Sequence, residues 1–420
     1  MFSPKPTYSF LCFVYLILNT CIFSIQAAPF DFGPCYSPAA ATLSSVLFDF
    51  KNKAPFKRIP ISHPQSKKEL IFKVYEPIPG SQAHDNDEWI FVFAGIGTGV
   101  DDAHAVKAAS LLREVGIEKG LLIIPSVFRL DFAQSFSSQG IVGNIPTDAQ
   151  DLLFALELLK DSLKEYQFKE ITYFGFSLGA LTAAHLSSQL EKSQHPLMAN
   201  KVILMNSPIN LLKSLQNIDR LNEKRVSLYE NTQVAISYLS YLSKYPSAQE
   251  SSSLQCELYQ IEESSLESVI SESLKFNLDE LFLYGQERTP TGALDRRPRH
   301  YLRSPRERER MQRLRDRRMA KNLSFENYVK NSVLPISQVQ ELSELNQRVS
   351  LTSLSNEIRN NPKYYVIHTR DDFLQSSERE LNQYTNLFLP ENKWIVDKGG
   401  HLGLLNFREL GEVIKDFLQK

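Results

Sequence analysis

The stretch "YFGFSLGA" (residues 173–180) sets one serine, Ser177, between Gly175 and Gly179. A serine hydroxyl is a poor nucleophile until a base takes its proton, and the base needs an acid to fix its tautomer. Later segments offer both kinds of residue. "VIHTRDDFL" carries the adjacent carboxylates Asp371 and Asp372, and "DKGGHLGLL" carries His401. Of eight histidines, His401 alone sits in a glycine-flanked loop between a late strand and the last helix. His185 falls inside the helix after the serine and His368 inside a strand, so both read as packed or surface residues.

Hydrophobic patterning supplies the elements that must position these groups. "FKRIPIS" and "KKELIFKVYEP" are short, rich in β-formers and separated by turn residues, which predicts an antiparallel pair. "WIFVFAG" (89–95) is almost continuously apolar, as in a strand covered on both faces. A regular alternation follows: helix 102–115, strand "LLIIPS", helix 147–165, strand "EITYFGF", helix 178–191, strand "KVILMNSP". It resumes late in the chain with "KYYVIHT", a helix over 377–388, "KWIVDKG" and a closing helix over 406–419. This rhythm predicts an α/β fold, a mostly parallel sheet with crossover helices. Ser177 then lies at a strand-to-helix turn. A strained backbone there would raise the hydroxyl above the sheet, and a Cβ at 175 or 179 would collide with the adjoining strand and helix. The helix N-terminus favours negative charge developing nearby.

With Gly-x-Ser-x-Gly in this context, and a carboxylate and a histidine following in that order after later strands, the chain resembles the α/β-hydrolase superfamily, serine esterases and lipases among them. The resemblance covers the sheet and its helices, about half of the chain. It implies a Ser-Asp-His triad of Ser177, Asp372 and His401. Asp372 is taken because Thr369 then aligns with the glycine of the family's Gly-x-x-Asp pattern. Thr369 departs from that pattern, which leaves Asp371 as the alternative. The resemblance also implies an oxyanion hole of two backbone N–H groups. Leu178 would give one, and the turn "FAGIGTG" (93–99) the other, through Ile96 or, as runner-up, Gly97. The spacing Gly95-x-Gly97-x-Gly99 departs from the dinucleotide fingerprint, so a nucleotide loop is set aside. No metal or organic cofactor is implied.

Between residues 209 and 361 the strand rhythm stops. Leu266, Ile270, Leu274, Leu278 and Leu281 recur at helical spacing, which predicts a helical insertion, placed where family members often carry a cap. The chain therefore divides into a leader (1–28), a first part of the core (29–208), the insertion or cap (209–361) and a second part of the core (362–420). Within the insertion, residues 288–318 hold twelve arginines, no lysine and four acids. That run is either a patch for an anionic membrane surface or another anionic partner, or a solvated loop in which Arg and Glu balance. Tyr301 is its one aromatic residue, which argues against single-stranded nucleic acid.

A net charge of -1 with 23% charged residues excludes a general pull toward nucleic acid, so any strong field must be local. Residues 1–28 have the layout of a signal peptide, and their sixteen-residue apolar run 10–25 is short for a membrane span. Secretion or export to a periplasm is expected, with retention as an N-terminal anchor as the alternative. Outside the leader, Cys35 and Cys256 could form one disulfide or stay free. Asn322-Leu323-Ser324 fits a glycosylation acceptor. The expected function is a serine hydrolase acting on small-molecule or lipid carboxylic esters. A peptidase, thioesterase or acyltransferase would use the same triad, and a catalytically silent binding protein on the same scaffold is a reading of another class.

Overall fold

A computed structural model describes residues 36–47, 55–78, 87–227, 261–276, 278–289, 323–375 and 377–420. The leader, Cys35, Cys256, Asn322 and all of the arginine run beyond Thr289 lie outside the described residues.

Eight strands form one sheet: β1 (Lys57–Ser62), β2 (Glu69–Tyr75), β3 (Glu88–Phe93), β4 (Gly120–Ile124), β5 (Glu170–Phe176), β6 (Lys201–Met205), β7 (Tyr364–Thr369) and β8 (Lys393–Val396). Their order is β1-β2-β4-β3-β5-β6-β7-β8, with antiparallel pairing confined to β1–β2 and β2–β4. With helices on both faces, this is the α/β-hydrolase fold, and the expected hairpin opens it. Strands β3, β5, β6 and β7 are buried nearly end to end because helices cover both faces, which explains their largely apolar sequences. β1 lies at an edge, mostly exposed, with Lys57, Arg58 and Pro60 on it, residues that discourage further strand pairing.

Alternate residues feed two cores. Phe91, Phe93 and Tyr173 pack with Leu152, Leu156, Leu181 and Leu186 from helices Ile145–Ser162 and Leu178–Ser193. Ile90, Val92, Phe174 and Phe176 pack on the opposite face with Leu111, Leu112, Ile414 and Phe417 from helices Ala103–Glu114 and Arg408–Gln419. The connections leaving β3 and β5 thus diverge to opposite faces while their ends stay paired, Phe93 against Gly175. Ligands of open α/β sheets bind in the crevice that such a reversal opens.

The chain between β6 and β7 is helical where described, with helices Leu211–Ser227, Glu263–Phe276, Asp279–Arg288 and Leu342–Val349. It shares the first core: Leu215, Leu281, Phe282, Phe325, Tyr328 and Leu345 join the sheet residues in one cluster. The leucine repeat from 266 to 281 does not make one helix. Leu266, Ile270 and Leu274 lie on Glu263–Phe276, whereas Leu278 precedes a second helix that carries Leu281. Pairs at spacing three or four recur equally well across two helices that bury their apolar faces against one core, so periodicity does not reveal the break. An element not expected from the pattern, helix Pro38–Leu47, packs beside the loop after β8. Its sequence "PAAATLSSVL" has small, polar and apolar residues on all sides and no clear stripe. Among the described residues no helix is long and apolar enough to cross a membrane.

Candidate active site

Ser177 follows β5 with φ 54° and ψ −131°, a conformation that a residue other than glycine adopts only under constraint. Neighbouring backbone supplies that constraint. A Cβ on Gly175 would lie 2.5 Å from Ala180 Cα, and one on Gly179 would lie 2.6 Å from the carbonyl oxygen of Ala94. The two flanking glycines therefore let the turn press against helix Leu178–Ser193 on one side and the end of β3 on the other, the collision expected from sequence. Ser177 N–H is held by Met205 O (2.9 Å), which ties the turn to the end of β6.

The sequence-predicted residues meet at the C-terminal ends of the parallel strands. His401 Nε2 is 2.9 Å from Ser177 Oγ, and its Nδ1 is 2.9 Å from Asp372 Oδ2. All three side chains are buried. Asp372 also accepts from Asn206 Nδ2 at Oδ2 (2.8 Å) and from Leu374 N–H at Oδ1 (2.9 Å). Burial alone would push this carboxyl up, but the charge and hydrogen bond of His401, with His368 and the Leu374 N–H, hold it below the ordinary range. The group thus stays ionised opposite the imidazole, with every hydrogen-bond partner a donor.

Asp371, the alternative acid, faces the other way. Its Oδ1 accepts from Gly400 N–H (2.9 Å), its Oδ2 from Gly399 N–H (3.3 Å), and the Tyr36 hydroxyl donates to it. Burial raises its carboxyl to about 6 against the two backbone donors. It shapes the histidine loop and does not touch the imidazole. Thr369 is engaged with the same loop, its Oγ1 donating to Gly400 O (2.6 Å).

Ile96 and Leu178, the expected oxyanion donors, both line one pocket. The turn carrying Ile96 passes close to the serine, since a Cβ on Gly95 would lie 3.1 Å from Ser177 Cβ. Gly97, the runner-up, has φ 66° and its carbonyl accepts from Arg129 (3.1 Å). The pocket encloses roughly 410 Å³ of space, part of it open to solvent. Phe128 and Gly143 form part of its wall, and Leu211, Leu215, Leu345 and Val349 from the β6–β7 segment form most of the rest. Its one polar lining side chain, Asn346, has its carbonyl oxygen engaged by Leu212 N–H (2.9 Å) and the Ser350 hydroxyl (3.0 Å).

Sequence reasoning did not name these wall residues. The signal was Leu211, Leu212 and Leu215 at helical spacing directly after β6, which predicts a buried face but not what it faces. Of the histidines set aside, His185 is packed against Val349 O (3.3 Å) with its imidazole pushed down by burial to about 4, and His368 is buried in β7. Among the described residues no group of three or more His, Cys, Asp or Glu could hold a metal ion.

No protein-family model matches the sequence, and no curated protein matches it. Solved structures resemble its fold. A hydrolase candidate from Legionella pneumophila is 12% identical with a TM-score of 0.47, covering 91% of this chain and 95% of that one. An arylesterase is 13% identical with a TM-score of 0.44, covering 97% and 96%, and a Pyrococcus furiosus esterase is 15% identical with a TM-score of 0.43, covering 89% and 95%. At such identities the likeness is one of fold, and the chemistry is read from the side chains themselves.

Proposed function

We propose that the protein is a serine hydrolase that cleaves carboxylic esters with an apolar acyl group. The observation that carries this reading is the hydrogen-bonded chain Ser177–His401–Asp372, with Leu178, the residue after the serine, lining a mostly apolar pocket. Ser177 Oγ attacks the ester carbonyl carbon while His401 Nε2 takes its proton, and the imidazolium is stabilised by ionised Asp372. The N–H groups of Leu178 and Ile96 receive the oxyanion, aided by the dipole of helix Leu178–Ser193. His401 returns the proton to the departing alkoxide, leaving an acyl-serine. Water, deprotonated by His401, attacks that carbonyl and releases the acid and the free serine.

The helices between β6 and β7 act as a cap, keeping water from the acyl group and furnishing most of the pocket wall. An apolar wall offers nothing to pair with a charged or strongly polar acyl group, which supports aliphatic esters over peptides. The layout of residues 1–28 supports export from the cytoplasm.

Labelling with a fluorophosphonate tests the reading. The wild type should label, and folded Ser177→Ala and His401→Ala should not. A folded wild type that neither labels nor hydrolyses p-nitrophenyl esters over a graded series of acyl lengths would overturn it.

A further inference from the structure

The backbone that presents His401 is held in place by a segment outside the sheet. Gly399, Gly400 and Leu402 have φ of 148°, 58° and 68°, so three of four successive residues lie where L side chains rarely go. Such a loop keeps its shape only where its surroundings over-determine it. Each N–H from 399 to 401 donates to a side chain. Gly399 donates to the Tyr36 oxygen (2.7 Å) as well as to Asp371, Gly400 to Asp371, and His401 to Thr42 Oγ1 (2.9 Å). Two of the three clamps therefore involve residues 36–42.

Both clamping groups are themselves aimed. The Thr42 hydroxyl donates to Pro38 O (2.8 Å), which turns its lone pair toward His401, and the Tyr36 hydroxyl donates to Asp371. Helix Pro38–Leu47 is fixed at both ends. Glu263 Oε1 accepts from Ala39 N–H (2.9 Å), and the buried Lys107 ammonium donates to Ser45 O (2.8 Å) and Asn406 Oδ1 (2.7 Å). The approach leaves no slack: a Cβ on Gly400 would lie 2.7 Å from Thr42 Oγ1.

We propose that residues 36–42 are a positioning element for the base of the site. Thr42 sets where the imidazole lies by holding the His401 N–H, and Tyr36 steadies the two residues before it. Neither touches the reacting atoms. The proposal rests on the reading of His401 as general base.

The test compares Thr42→Val, which keeps the shape and removes the acceptor, with Thr42→Ser, which restores it, and with Tyr36→Phe. Turnover of p-nitrophenyl butyrate, thermal midpoint and the deshielded Nδ1 proton of His401, assigned by its loss in His401→Gln, are measured on each purified protein. Thr42→Val should lower kcat about 10- to 100-fold, the loss expected from a small displacement of a reacting group, with KM near wild type. The Nδ1 resonance should shift or broaden, and Thr42→Ser should return both. A folded Thr42→Val with wild-type kcat and an unmoved resonance overturns the proposal, as does a Thr42→Ser as impaired as the valine variant. Should Thr42→Val not fold, Tyr36→Phe decides by the same two readouts. The resonance does not depend on turnover: a wild type that neither labels with fluorophosphonate nor hydrolyses esters, but whose Nδ1 proton moves in Thr42→Val, sinks the hydrolase reading and leaves the placement of His401 by Thr42 standing.

Discussion

Thr369 Oγ1 donates to the carbonyl oxygen of Gly400 at 2.6 Å, joining the end of β7 to the loop that presents His401. The same hydroxyl accepts from Asn206 Nδ2 (3.0 Å), and that amide also donates to Asp372 Oδ2 (2.8 Å). One buried side chain thus links the acid and base sides of the site. Thr369→Val would keep the shape while leaving Gly400 O and one bond of Asn206 unmet, so a loss of roughly 1–3 kcal/mol in urea unfolding is expected. Phosphonate labelling should slow as the loop loosens, and Thr369→Ser should stay near wild type. An unchanged midpoint and labelling rate in the valine variant would show that the hydroxyl ties nothing together.

The two neighbouring carboxylates should respond oppositely to the same change. At Asp372 all three partners are donors, so an asparagine must turn its amide N–H₂ toward one of them. If it faces His401, the imidazole is left in the wrong tautomer, a defect worth about 10⁴-fold in kcat in a comparable triad. Asp371→Asn keeps an oxygen for Gly400 N–H and an amide that can reach Tyr36, so most activity should remain. Steady-state kinetics on the two folded variants check this, and equal losses would return Asp371 to contention as the acid.

Asp371 also imposes a pH dependence on stability. Its carboxyl is raised from 3.8 to about 6 in the folded protein, chiefly by burial. The native state then binds this proton more tightly than the unfolded chain does, so its contribution is fully present below the unfolded value and is lost as pH rises through about 6. Asp372 is shifted down, so its contribution is present above 3.8 and fades as pH falls through its lower folded value. Urea unfolding from pH 4 to 7 should therefore show wild type losing stability relative to Asp371→Asn across that window and no further above it. A flat difference would mean that the carboxyl titrates as an exposed one does.

Strands that are buried on both faces write themselves into sequence as largely apolar runs, and so β3, β5, β6 and β7 were legible to within three residues at either end. The turn at Ser177 was legible because Gly175 and Gly179 have a steric reason to be glycine that no other side chain satisfies. Helix Pro38–Leu47 was not. Its burial comes from packing against the loop after β8 and against Lys107, partners far away in sequence, and its small residues make no stripe. The choice between Asp371 and Asp372 was likewise hidden, since adjacent residues share a loop and differ only in which way the side chain leaves it. The pocket wall depends on how a helical segment packs back on helices Ile145–Ser162 and Leu178–Ser193, which local periodicity does not encode.

That wall yields a paired test of opposite sign. Leu345 and Val349 project from one helix into the pocket beside Leu178, and both are buried. Leu345→Ala enlarges the space, and Val349→Phe fills it at an overpacking cost of about 1–3 kcal/mol in stability. Each buried methylene contributes about 0.8 kcal/mol, close to a fourfold change in kcat/KM, so the slope of log kcat/KM against acyl length reports how many methylenes find cover. The alanine variant should move the optimum to longer p-nitrophenyl esters and the phenylalanine variant to shorter ones, with the acetate rate little changed in both. If both variants keep the wild-type profile while remaining folded, the acyl chain lies elsewhere and the pocket receives the alcohol side of the ester, which a series of butyrate esters with graded alcohols would then reveal by shifting in the same two directions.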